Sequence, residues 1–142
     1  MRMNLATLSN MAAAGLLAVM TGCAGLGGAP AAPETVVQAR ANQRWQFLLA
    51  GKLDDAYRML APGYRAVKSA DGYKGDLSPS VIWLSAEILN ISCQSAESCD
   101  AKVRLEVKPV LATGGSSRAN IVTHFDEKWI LVDGQWWHFP NR

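Results

Sequence analysis

Asp100-Ala101-Lys102-Val103-Arg104-Leu105-Glu106-Val107-Lys108 alternates without a break. Ala101, Val103, Leu105 and Val107 fall on one parity, and Asp100, Lys102, Arg104, Glu106 and Lys108 fall on the other. Successive side chains of a strand point to opposite faces, so the segment predicts a β-strand with one dry and one wet face. Such a strand belongs in an antiparallel sheet that is covered on one side. Before it, residues 81–93 are rich in β-branched and aliphatic side chains and predict a strand covered on both faces. After it, Thr113-Gly114-Gly115-Ser116-Ser117 is a turn, and residues 120–132 predict the longest strand. Ile121, Phe125, Trp129 and Leu131 share one parity there while Ile130 and Val132 take the other, so a bulge is expected near Glu127 or Lys128. Asp133-Gly134 is a hairpin signal, and residues 136–139 make a closing strand before Pro140.

Upstream of the strands the period changes. Pro33-Glu34 suits a helix start, because proline loses nothing at the first helical position and an acid complements the positive end of the dipole. Val37, Ala41, Trp45 and Leu48/Leu49 then recur at helical spacing, Gln38, Arg40, Asn42 and Gln46 fall mostly elsewhere, and Gly51 fits the C-terminal end. A shorter helix follows, with Asp54 and Asp55 at its start, Leu53, Ala56, Tyr57 and Leu60 on one face, and Pro62-Gly63 as its stop. Residues 69–80 set Gly72, Gly75 and Pro79 around Tyr73 and Leu77, which predicts a short helix or an irregular loop. Helices first and a strand meander second give an α+β fold, with N-terminal helices packed on an antiparallel sheet of about four strands.

The first 22 residues read differently. Met1-Arg2 is a short basic start, and residues 11–20 are apolar apart from Gly15, the pattern of a secretory signal peptide. Met20-Thr21-Gly22-Cys23 resembles the lipobox of bacterial lipoproteins, in which small residues lead into a cysteine that becomes the lipidated first residue; Met20 stands where leucine is commoner. The resemblance implies a signal peptide over residues 1–22, a lipidated Cys23, and a membrane partner reached through that anchor. Each buried methylene is worth about 0.8 kcal/mol, so two or three long chains hold the protein almost permanently. Residues 24–33, rich in Gly, Ala and Pro, form a linker, and residues 34–142 form the folded domain. Ala24 follows the cysteine where an acid would signal inner-membrane retention, which by the same resemblance favours the outer membrane, facing the periplasm.

Cleavage before Cys23 leaves 120 residues (142 less 22) and, with Arg2 removed, lowers the formal charge from +2 to +1. That length suits one domain with one core. A near-neutral balance without a Lys/Arg cluster gives no footprint for nucleic acid, which is therefore not an expected partner. Of the three cysteines, Cys93 and Cys99 remain once Cys23 is lipidated, and in an oxidising envelope the pair reads as a disulfide. Two thiolates at this spacing lack the further ligands of a zinc site. No phosphate loop, dinucleotide fingerprint, nucleophile elbow or metal-spaced histidine pair occurs, so no cofactor and no metal are expected.

The segment Arg44-Trp45, Leu48, Ala50-Gly51-Lys52-Leu53-Asp54, Ala56-Tyr57, Leu60, Pro62-Gly63-Tyr64-Arg65 looks like the opening helix pair of small envelope members of the cone-shaped nuclear transport factor 2-like superfamily. The cysteine pair and Gly134-Gln135-Trp136-Trp137-His138 fit the same picture, and the similarity spans residues 34–140. The superfamily contains both enzymes and inert binding modules, so the resemblance implies a curved sheet and a pocket rather than a reaction. Its enzymes place an Asp, His or Tyr inside the cone to move protons.

The candidate catalytic residues are Glu87, Tyr57, His124 and Asp126. His124 and Asp126 lie two apart on a strand and share a face, but that is the polar parity, and a solvated surface is the plainer reading. Glu87 shares parity with Trp83, Leu89 and Ile91; an acid among apolar neighbours can have a raised pKa, although a salt bridge or exposed position also accounts for it. His138 reads as a cap on the sheet edge. Candidate ligand contacts are Trp45, Tyr57, Tyr64, Trp83 and Trp129, amphipathic aromatics that serve equally as core. Arg65 reads as a rim residue. The leading expectation is a non-enzymatic, lipid-anchored module that binds a small apolar ligand or an envelope protein. A proton-transfer enzyme and a structural subunit of an envelope assembly are the alternatives, and the oligomeric state is left open.

Overall fold

The computed structural model describes residues 31–77 and 81–140. The signal segment, Cys23, nearly all of the linker and Pro79 lie outside the described residues. Four helices precede four strands among the described residues: α1 (Pro33–Leu49), α2 (Leu53–Arg58), α3 (Pro62–Val67), α4 (Ala70–Asp76), β1 (Val81–Ser95), β2 (Ser98–Pro109), β3 (Ile121–Val132) and β4 (Gln135–Phe139). The strands pair antiparallel in the order β1-β2-β3-β4, so the fold is α+β, helices followed by an open meander.

Pro33 occupies the start of α1 and Glu34 its first turn. At the other end Gly51 adopts φ +68°, and the N–H groups of Gly51 and Lys52 donate to the carbonyls of Leu48 and Phe47, 3.1 and 2.8 Å away. This double closure satisfies carbonyls the helix leaves open and depends on a residue that tolerates positive φ. Val37, Ala41, Arg44, Trp45 and Leu48 form the buried stripe of α1, which packs on β1, β2 and β4. Burying Val37 and Leu48 contributes about 1.5–3 kcal/mol each, and this apolar gain carries Arg44 inside with them. Pro62 does not stop α2, which already ends at Arg58; it takes the first turn of a further helix, α3, for which the sequence gives only a stop signal. Residues 70–76 are helical, with the Ser69 hydroxyl accepting from Gly72 N–H at 3.1 Å.

The sheet departs from expectation in two strands, β1 and β3. β2 behaves as its alternation demands: Cys99, Ala101, Val103, Leu105 and Val107 are buried against the helices. β1, at 15 residues, is the longest strand and an edge. Of its residues Ile88 alone is buried, so it is covered on one face by α1 and not on two. Register shifts lie between Trp83 and Ser85, Ile88 and Asn90, and Cys93 and Ser95. Each extra residue reverses the parity that follows it. β3, by contrast, keeps an unbroken register against β2 from Val107↔Ile121 to Ser98↔Ile130, and no bulge occurs at Glu127 or Lys128. Asp133 and Gly134 take φ +52° and +73°, the tight turn that their sequence announces. Cys93 and Cys99 are direct cross-strand partners beside the β1–β2 turn and form a disulfide.

β4 ties the helices to the sheet through the main chain. His138 N–H donates to the Met59 carbonyl at 3.0 Å, and Ala61 N–H donates to the His138 carbonyl at 2.9 Å.

Candidate functional site

Three ionisable side chains are buried together between α1 and the sheet. Arg44 comes from the apolar stripe of α1, Glu127 from the unbroken parity of β3 that includes Phe125 and Trp129, and His138 from the β4 parity that includes Trp136. Arg44 Nη1 donates to Glu127 Oε1 at 2.5 Å, and Arg44 Nη2 lies 3.3 Å from the Tyr73 hydroxyl of α4. His138 Nε2 stands 4.0 Å from the same Glu127 oxygen, and the imidazole lies 5.7 Å from the Trp129 ring centre. Burial pushes the Glu127 carboxyl up from its ordinary value, opposed first by the charge of Arg44 and also by the neighbouring N–H groups of Trp45 and Trp129. Burial, with Arg44 beside it, holds His138 well below the usual imidazole range, so this ring is neutral.

The cluster borders a pocket of about 340 Å³ lined by Trp45, Trp83, Phe125, Leu77 and Leu105, with Arg44, Glu127 and His138 as its polar part and Asp126 and Pro140 completing the lining. Trp45 meets Trp83 edge to face at 5.9 Å and Phe125 at 6.0 Å, forming a continuous aromatic wall. Arg44 Nε, Trp45 Nε1, Trp129 Nε1, Glu127 Oε2 and His138 Nδ1 are all buried without a well-aligned hydrogen-bond partner among the described residues. Buried polar atoms ordinarily find partners, so this cluster is costly to bury and is the polar exception in an otherwise apolar interior.

The candidates read from sequence are dispersed. Trp45 and Trp83 line the pocket, and Trp129 is fully buried beside His138. Tyr57 stacks on Tyr73 at 5.8 Å and donates to the Lys68 carbonyl at 2.8 Å, joining α2 to the α3–α4 segment. Tyr64 borders a separate cleft with Val67, Lys68 and Asp76. Arg65 donates to the Leu60 carbonyl at 3.0 Å and lies over Trp137, as Arg40 also does. Glu87 is exposed opposite Arg104, because the shift after Trp83 turns it outward. His124 and Asp126 are exposed on the outer face; the Asp126 carboxylate pairs with Lys102 at 3.1 Å although the residue touches the pocket rim. Arg44, Glu127 and His138 were not singled out from sequence as pocket groups. A lone charge within an apolar helical stripe and an acid on the parity of Phe125 and Trp129 are the signals that point to the first two. Among the described residues no group of three or more His, Cys, Asp or Glu could hold a metal ion, and no helix is long and apolar enough to cross a membrane. No protein-family model matches the chain, and no curated protein matches it.

Proposed function

We propose that the protein is a lipid-anchored module of the bacterial envelope whose single domain, of the nuclear transport factor 2-like kind, binds a small ligand with an apolar body. The aromatic-walled pocket ending on Arg44, Glu127 and His138 carries this reading. Its size falls at the low end of the range of about 300–1,000 Å³ typical of small-molecule sites. The lipobox-like Met20-Thr21-Gly22-Cys23 supports the anchor, and the Cys93–Cys99 disulfide accords with an oxidising compartment such as the periplasm. Titration with N-phenyl-1-naphthylamine, a neutral probe that brightens in apolar sites, is expected to give saturable binding at one site. A linear, unsaturable signal refutes the binding module. Intact mass spectrometry of the native protein should find acyl chains on Cys23, and an unmodified N terminus refutes the anchor.

One observation favours a second reading. Glu127 offers an unpartnered oxygen on a pocket-lining carboxyl whose proton affinity is raised by burial, which is the equipment of an acid–base catalyst. A proton-transfer enzyme built on Glu127 would incorporate deuterium from solvent into an enolisable cyclic ketone, and Glu127→Gln would abolish that exchange. Equal exchange by the variant removes this alternative.

A further inference from the structure

We infer that the end of the sheet around the β2–β3 loop rests on an anionic phospholipid surface, that of the membrane to which Cys23 tethers the chain. The inference rests on the lipid-anchor reading and adds to it the face by which the domain meets the bilayer. Six of the ten large apolar side chains exposed among the described residues lie at that end, each 41% to 51% exposed. They are Ile82 and Leu84 of β1, Val110 and Leu111 just beyond β2, and Ile121 and Val122 of β3. Strand pairing gathers them, since Val81 faces Pro109, Ile82 faces Lys108 and Val107 faces Ile121. The other four, Leu49, Val67, Leu89 and Phe139, are scattered over four different elements. The loop also closes on itself: Leu111 N–H donates to the Gly115 carbonyl at 3.1 Å, and Ser117 N–H donates to the Pro109 carbonyl at 2.8 Å. Main-chain groups that an apolar layer leaves unpaired are thus satisfied within the loop.

Charge selects the partner. Residues 81–86 and 107–123 hold no Asp or Glu and two basic residues, Lys108 and Arg118, in a chain with 12 acids. The acid at the border, Glu106, is engaged by Asn120 and Ser85 at 2.8 and 3.3 Å. Apolar side chains accompanied by cations match a bilayer surface, in which anionic headgroups lie above acyl chains. A second copy docked face to face brings Lys108 and Arg118 toward the same two cations. A stable protein interface also takes about 20–30 residues a side, against six apolar ones here. Reach permits the contact. Glu34, Thr35 and Gln38 share a cleft with Leu89, Asn90 and Ile91, so the tether joins the domain beside the middle of β1. From Asn90 to Ile82 is about 26 Å along the strand. Residues 24–33 extend to about 35 Å, enough to bring the end of the sheet to the bilayer.

The test places the native protein in phosphatidylcholine vesicles with or without about 30% phosphatidylglycerol, their acyl chains brominated or not. Leu111→Trp adds an indole at the loop, and Gln46→Trp adds one at an exposed position of α1 as a control. With phosphatidylglycerol present, bromine should quench at least twice as much of the emission added by Leu111→Trp as of that added by Gln46→Trp. In phosphatidylcholine alone this excess should fall by at least half. Ile82→Trp, a second reporter on β1, should behave as Leu111→Trp does. No excess at either reporter overturns the inference, and cross-linking of copies through this end then assigns the surface to a second copy. An excess indifferent to phosphatidylglycerol overturns the anionic assignment. Protein that fails to float with the vesicles overturns the anchor and the inference together, whereas protein that floats without quenching overturns the inference alone.

Discussion

The Arg44–Glu127 pair is the sharpest point at which the packing can be tested. Their side chains are 6% and 4% exposed and 2.5 Å apart, so removing either one strands a charge inside the domain. Stranding a buried charge costs about 3–5 kcal/mol, whereas replacing both partners with apolar residues of similar volume is often close to neutral. Arg44→Met and Glu127→Met are each expected to lose at least about 3 kcal/mol, and the double variant about 1 kcal/mol or less. The coupling then exceeds the ~0.5 kcal/mol within which independent sites add. At about 4 °C per kcal/mol for a domain of this size, each single variant melts roughly 12 °C or more below the parent. Urea unfolding followed by far-ultraviolet circular dichroism, with the disulfide intact, measures all four corners of the cycle. A loss below about 1 kcal/mol for Arg44→Met, or a double variant as unstable as the sum of the singles, contradicts the buried pair.

His138 gives a pH signature. Its folded-state pKa lies well below 6.5, so as pH falls below that value the unfolded chain takes up a proton that the folded chain refuses. The stability present above 6.5 is lost on acidification, at up to about 1.4 kcal/mol per pH unit. Glu127 acts in the opposite sense, since its raised folded-state pKa adds stability as pH falls toward 4.5. Urea curves at pH 7 and 5.5 should therefore show His138→Gln losing about 1 kcal/mol less than the parent over that interval, and parallel losses contradict a buried neutral ring. Replacing Cys93 and Cys99 together by Ala should cost about 2 kcal/mol in the same assay, the value for closing so short a loop. Glu87→Gln and His124→Gln, both on exposed strand positions, should each stay within about 0.5 kcal/mol of the parent and leave probe affinity unchanged.

What the sequence disclosed depended on whether a local rule acted alone. In β2 one face is dry and the other wet, so Ala101, Val103, Leu105 and Val107 announce their own burial. Trp45 and its neighbours likewise mark the covered side of α1, and Asp133-Gly134 marks its turn. β1 obscures its pattern because three register shifts change parity along its length, which is how Glu87 shares nominal spacing with Trp83 yet faces the other way. In β3 the opposite happened. Ile130 and Val132 invited a bulge, whereas the strand stays regular and leaves those side chains partly buried on the second face. That regularity keeps Glu127 in phase with Phe125 and Trp129. The site escaped notice for a physical reason: Arg44, Glu127 and His138 are polar residues in apolar positions, and each is tolerable there only because the others, far away in sequence, are there too.

The two main-chain bonds between His138 and the Met59–Ala61 segment set an order on assembly. The helical half of the domain is synthesised first and can gain its local turns at once, yet the residue that fastens it to the sheet comes from the last strand of the meander. Until β4 docks, the His138 ring is not beside Glu127, 4.0 Å away in the folded domain. Hydrogen exchange should accordingly find the amides of Ala61 and His138 opening together, as a latch does, so that the helices part from the last strand in one event.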